Sequence, residues 1–180
     1  MEKAVRFLEQ RAADTGEAFV PFDIDADYRR YVDGKPRYDG VADFIASRGI
    51  ELPFGAPEDG PGAQTVHALG NLKDQYFTQQ LEQHGVEVYE AAIALVETLR
   101  GQEIKTAVVS SSNNCVLVLE AAGISQLFDA RVDGIDITRL NLNGKPAPDA
   151  FLEASQRVNA EPARAVVVED AIAAPFDPTA

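Results

Sequence analysis

The sequence predicts an α/β fold, helical in its first half and built on a parallel sheet in its second. Three observations lead there. Helical apolar spacing runs through residues 1–86; after Gly85 short, continuously apolar, β-branched runs appear; and those runs alternate with further helical segments. Strands that are apolar throughout and separated by helices mark a parallel sheet covered on both faces.

The elements follow in order. Residues 1–16 form a helix, with Val5, Leu8 and Ala12 on one stripe and Gly16 as the stop. VADFIASRG is a shorter helix closed by Gly49, and PFGAPEDGPG, residues 53–62, is a Pro/Gly loop. A longer helix carries Val66, Leu69, Lys73, Tyr76, Phe77 and Leu81 mainly along one face and ends before Gly85. AAIALVETLRG is helical, and IKTAVVS is a β-branched strand. NNCVLVLEAAG is again a helix, with Asn113 or Asn114 as N-cap and Gly123 as stop. FDARVDG is a short strand, DAFLEASQRVN a helix, and RAVVVED a further strand.

Composition narrows the function classes. Apolar residues make up 46%, enough for a buried core, and the net charge is −13, from 16 basic and 29 acidic residues. That balance disfavours nucleic acid, whose binders place basic side chains on phosphates, and anionic membranes. A single cysteine, Cys115, rules out an internal disulfide and fits a reducing compartment. With no transmembrane-length apolar run and no signal-peptide pattern at the N-terminus, a cytoplasmic protein is expected.

Ligands of doubly wound sheets sit at the carboxyl ends of the strands. There TAVVS ends in Ser110-Ser111-Ser112-Asn113 at a helix start, where hydroxyls and free N–H groups suit a phosphate oxygen. Ser and Asn are equally ordinary helix caps. In GKPAPD, Lys145 sits on a stiff loop that suits a fixed positive charge near anions; a solvated turn lysine is the plainer alternative. RAVVVED ends in Glu169-Asp170, two adjacent acids that repel unless a cation such as Mg²⁺ offsets them or one caps the next helix. His67 and His84 have no neighbours at metal-ligand spacing.

Taken together, VVSSSNN, GKPAPD and VVVEDA resemble the second, third and fourth motifs of the haloacid dehalogenase-like superfamily, in its β-phosphoglucomutase-like group with a helical cap. The resemblance implies a Rossmann-like parallel core, here partial, over residues 87–180, and a cap over residues 1–86. It implies a phosphatase or phosphomutase acting on a small phosphorylated sugar with Mg²⁺. By the same resemblance Ser110 and Lys145 are expected to hold the phosphoryl group, with Ser111, Ser112 and Asn113 beside it, and Glu169 and Asp170 to face the metal. Within the cap, VDGKPRYDGVADFIASRGI and GNLKDQYF resemble the segments whose Arg37 and Lys73 contact the substrate, Arg37 at its non-transferring phosphate. A guanidinium fork suits that contact; both residues also read as plain surface charges.

The family's first motif, Asp-x-Asp-Gly-Thr/Val, supplies the nucleophile and the general acid/base. FDIDADY offers Asp23 and Asp25, but Ala26 and Asp27 replace Gly and Thr/Val, and Pro21 interrupts what should be a central strand. A calcium loop fails as well, since Tyr28 occupies the turn-glycine position and Gly34 that of the bidentate Glu. FDIDADY is therefore expected to be an acidic cap loop. The first core strand and the strands after VVVEDAIA are expected to be missing, leaving TAVVS and AVVVE each with an unpaired inner edge. Turnover by this chain is then not expected. The alternative from another class is a non-catalytic sugar-phosphate binding or interaction protein.

Overall fold

A computed structural model describes residues 2–16 and 18–169, with side chains from Phe7 onward. The chain forms two compact units that divide between Glu82 and Gln83.

The first unit is helical. Helix α1, Glu2–Thr15, stops at Gly16, whose φ of 71° is readily reached only without a Cβ. Helix α2 spans Arg37–Ser47 and α3 spans Val66–His84. Leu8 of α1, Phe44 and Ile45 of α2, and Ile50 form the buried cluster, flanked by Phe22, Tyr31, Val41 and Leu69. Phe22 meets Phe44 edge-on at 4.9 Å, an arrangement that aromatic rings favour.

That contact fixes the acidic stretch behind Phe22. Asp23 Oδ1 accepts from the N–H groups of Asp25, at 2.9 Å, and Ala26, at 2.7 Å. Asp27 Oδ2 accepts from Asp23 N at 2.9 Å, and the nearly buried Asp27 pairs with Arg48, which lies over the Phe44 ring. The carboxylates of Asp23 and Asp27 are thus spent on closing a turn that leads into a π-helical turn at Tyr28–Val32.

The second unit starts with α4, Glu90–Gly101, and holds a two-stranded parallel sheet. Strand β1, Ala107–Val109, pairs with β2, Ala130–Val132, in the register Val108 to Arg131, through helix α5, Cys115–Ala121. Helices α6, Gly134–Arg139, and α7, Asp149–Arg157, follow. Val132, fully buried, packs with Ile137, Ala150 and Ala154. At the amino end of the sheet Asp129 closes the structure: its carboxylate takes Thr106 N at 3.0 Å and Lys105 Nζ at 2.8 Å. At the carboxyl end the polar loops after β1 and β2 gather.

Two expectations need correction. RAVVVED is not a strand: residues 165–169 pair with nothing in the sheet, and Val166 and Val168 are 89% and 86% exposed. A strand needs a neighbour to take its backbone hydrogen bonds, and no described segment offers one. Helix α6 was not foreseen, because its six residues are too few to show a helical period. The cap position of α5 falls on Asn114, whose side chain makes no capping hydrogen bond.

Candidate active site

The loop after β1 is built around Ser110. Its N–H extends the ladder to Val132 O at 2.9 Å, which carries the parallel pairing one residue past the strand. Ser110 Oγ accepts from Ser112 N, and Ser112 Oγ accepts from Asn114 N, each at 3.1 Å. Two successive hydroxyl–backbone turns curl the chain tightly over the strand end. Ser110 Oγ accepts there and keeps its own proton to donate. It also lies within hydrogen-bond reach of the buried Cys115 thiol, whose pKa is pushed up by burial and then by the Asp133 charge.

The neighbouring loop, after β2, contributes a pair that sequence reasoning missed. Gly134 N donates to Ser112 O at 3.1 Å. A Cβ on Gly134 would fall 2.3 Å from Asn113 Oδ1 and 2.7 Å from Ser111 O, so only glycine lets the two loops close together. Asp133, 1% exposed, accepts from Ile135 N and Asp136 N and pairs with Arg131. It caps α6 and cannot turn toward a ligand without uncapping the helix. The signal was present in RVDGID, an Asp-Gly straight after an apolar strand.

Lys145 occupies the loop between α6 and α7. Asn143 ties that loop back to Asp149 through its N–H and its Nδ2, both at 2.9 Å, and the Lys145–Pro146 peptide is cis. The Lys145 side chain is only 6% exposed, pairs with Glu169 Oε2, and lies 5.7 Å from the centre of the Phe151 ring. A buried ammonium needs such a partner. Asp170, the other acid expected toward a metal, lies outside the described residues.

Arg37 and Lys73 belong to the first unit and come together there. Arg37 opens α2 and donates Nη2 to Asp74 Oδ1 at 2.5 Å. Lys73 precedes Asp74 on α3 and is exposed. Protein packed around the Lys73 ammonium lowers its pKa, the Arg37 charge lowers it further, and Asp74 opposes both. The structure thus brings together Lys145 with Glu169, Arg37 with Lys73, and Ser110 with Ser112; no hydrogen bond among the described residues joins Ser110 to Lys145.

A family model of haloacid dehalogenase-like hydrolases matches residues 2–173. The chain belongs to the haloacid dehalogenase-like hydrolase family. Among curated relatives, a β-phosphoglucomutase of Mycobacterium bovis is 43% identical over 166 residues, 92% of this chain and 63% of its own length. The validoxylamine A 7'-phosphate phosphatase of Streptomyces hygroscopicus is 28% identical over 84% of this chain and 63% of its own length. The chain therefore spans about 63% of the length of these relatives. The crystal structure of β-phosphoglucomutase from Clostridium difficile superposes with a TM-score of 0.68 at 19% identity, covering 94% of this chain and 70% of that one. The fold is therefore that of this family, a parallel α/β core with a helical cap.

Family phosphatases and phosphomutases generally use Mg²⁺. Among the described residues no three His, Cys, Asp or Glu side chains cluster as ligands, and the Glu169 carboxylate is engaged by Lys145. The described residues alone do not make a Mg²⁺ site. No helix among them is long and apolar enough to cross a membrane.

Proposed function

We propose that these residues serve phosphoryl transfer on a small phosphorylated sugar, and that the chain binds such a ligand without turning it over. The observation that carries the reading is Lys145, an almost fully buried cation held by a carboxylate on a stapled loop. A fixed ammonium in a dry setting stabilises phosphoryl oxygens far better than a mobile one in water. In this reading the Ser110 hydroxyl donates to a phosphoryl oxygen, and N–H groups of the 111–113 loop assist it. Lys145 neutralises charge, giving up part of its contact with Glu169. Arg37 and Lys73 take the distal phosphate and so select the sugar phosphate. Mg²⁺ would add charge neutralisation, with Glu169 and Asp170 as its candidate ligands.

No Asp-x-Asp-Gly stands in these 180 residues, so the carboxylate that accepts the phosphoryl group in the family's scheme is not among them, which supports binding without turnover. Relatives bearing both phosphomutase and phosphatase names leave the two reaction outcomes open as variants of one transfer.

Calorimetry and turnover assays test this together. We expect binding of glucose 6-phosphate that weakens on Ser110→Ala and on Lys145→Ala, and no Mg²⁺-dependent release of phosphate from aryl or sugar phosphates. Supplying a strand that ends in Asp-x-Asp-Gly should then give turnover, with Arg37→Ala harming sugar phosphates more than aryl phosphates. Turnover by the unaltered chain, or binding indifferent to Ser110 and Lys145, refutes the proposal.

A further inference from the structure

The first unit holds a device of its own around Arg37. Gly70, Lys73 and Asp74 share one face of α3, spaced i, i+3 and i+4. A Cβ on Gly70 would fall 2.6 Å from Tyr38 Cδ1 and 3.5 Å from Arg37 Cδ, so the missing side chain lets the first turn of α2 settle onto α3. Tyr38 is pinned there: its hydroxyl donates to Asn71 Oδ1 at 2.8 Å, and its ring meets His67 edge-on at 4.3 Å. Asn71 in turn donates to Pro57 O at 2.8 Å and Asp59 O at 3.0 Å, anchoring the 53–62 loop. The Arg37 stem therefore lies over Gly70, and its guanidinium arrives one helical turn further on, at Asp74.

We propose that Asp74 is the positioning residue of the distal-anion site: by taking one edge of the Arg37 fork it presets the remaining N–H donors for a phosphate monoester, and so strengthens anion binding although it is itself an anion. The Arg37 side chain is 16% exposed and its one hydrogen-bond partner among the described residues is Asp74 Oδ1, reached through Nη2 alone. A guanidinium has five donors, so the larger part of the fork is left for a ligand. Fixing the fork in advance lowers the ordering cost of binding. The trio also carries a net single positive charge, against two for Arg37 and Lys73 alone, and Asp74 supports the protonated form of Lys73.

The inference rests on the distal-phosphate role proposed above for Arg37, and its sign makes it testable. Removing a negative charge beside two cations should tighten anion binding if charge alone mattered. We expect the reverse: in calorimetry on the full chain, Asp74→Asn raises the Kd for glucose 6-phosphate by about fivefold. The Kd for inorganic phosphate, which does not need the distal site, stays unchanged. In an Arg37→Ala background the Asp74→Asn effect should vanish. Should Asp74→Asn lose cooperative unfolding, Asp74→Glu, which keeps the charge but moves the carboxylate outward, is expected to weaken glucose 6-phosphate binding in the same selective way. Unchanged or tighter binding by Asp74→Asn, with Arg37→Ala still weakening it, overturns the positioning role and leaves the function standing. Indifference to Arg37→Ala, or no glucose 6-phosphate binding by the wild-type chain, overturns the Arg37 assignment and this inference with it.

Discussion

The two units spend their apolar residues differently. In the helical unit the large side chains are used: Leu8, Phe44, Ile45 and Ile50 are at most 7% exposed, and Phe22 and Leu69 pack on them. In the α/β unit the buried cluster consists of Val132, Ile137 and two alanines, with Phe151, Leu119 and Cys115 buried elsewhere in the unit, while Leu95 of α4 is 52% exposed and α4 buries no residue at all. Val166 and Val168 face solvent. A helical unit completes its hydrogen bonds within each helix and needs only neighbouring side chains to close a core. A parallel sheet needs a partner for every strand and helices over both faces, and among the described residues the sheet has two strands, β1 and β2.

The largest contrast should appear in amide exchange. Val166–Val168 is expected to exchange at rates near those of an unfolded chain, while the interior of α2 and the β1–β2 ladder are protected. Strong protection at Val166–Val168 would mean that the segment finds a strand partner in solution, and would erase the contrast.

Core truncation comes next. Phe44→Ala should cost about 3–5 kcal/mol, and Val132→Ala on the order of 2 kcal/mol, read by denaturant unfolding. Separate transitions for the two variants, each lowering one unit alone, would sharpen the comparison; a single shared transition would show that the units unfold together.

Acid should act on the α/β unit through two anchored carboxylates. Asp136 has its pKa lowered to about 2, foremost by hydrogen bonding to Arg157 and against the opposing effect of burial. Asp129 is also held at about 2, foremost by Lys105 and then by Thr106 N. Both folded values lie below the unfolded value of about 3.9. Their stabilisation is therefore complete above roughly pH 4–5 and is lost as pH falls toward 2. Asp136→Asn should flatten the stability profile across that window, which urea titrations at pH 5, 4 and 3 would measure; an unchanged slope would remove Asp136 from the account.

The smallest effect is expected at the exposed valines. Val168→Thr should change stability by no more than about 0.5 kcal/mol. A loss comparable to that of Val132→Ala would show that Val168 is buried in solution.

The sequence by itself determined the local features: the helices other than the six-residue α6, their glycine stops, the strand preceding Ser110, and the family motifs around Lys145 and Glu169. These depend on spacing, propensity and turn chemistry carried within a few consecutive residues. It also identified FDIDADY as an acidic loop and not a catalytic strand, since its departures from such a strand are departures of identity and position. Only the tertiary structure decided that one of the three apolar runs, AVVVE, stays out of the sheet. AVVVE has the composition of one and is not one here, because a strand is defined by the backbone beside it. The pairing of Lys145 with Glu169, 24 residues apart, and of Arg37 with Asp74, 37 residues apart, was hidden for the same reason. So was the need for glycine at position 134, where Asn113 and Ser111 approach from a separate loop. Contacts between distant segments are set by how elements pack, and no short window of sequence contains both partners.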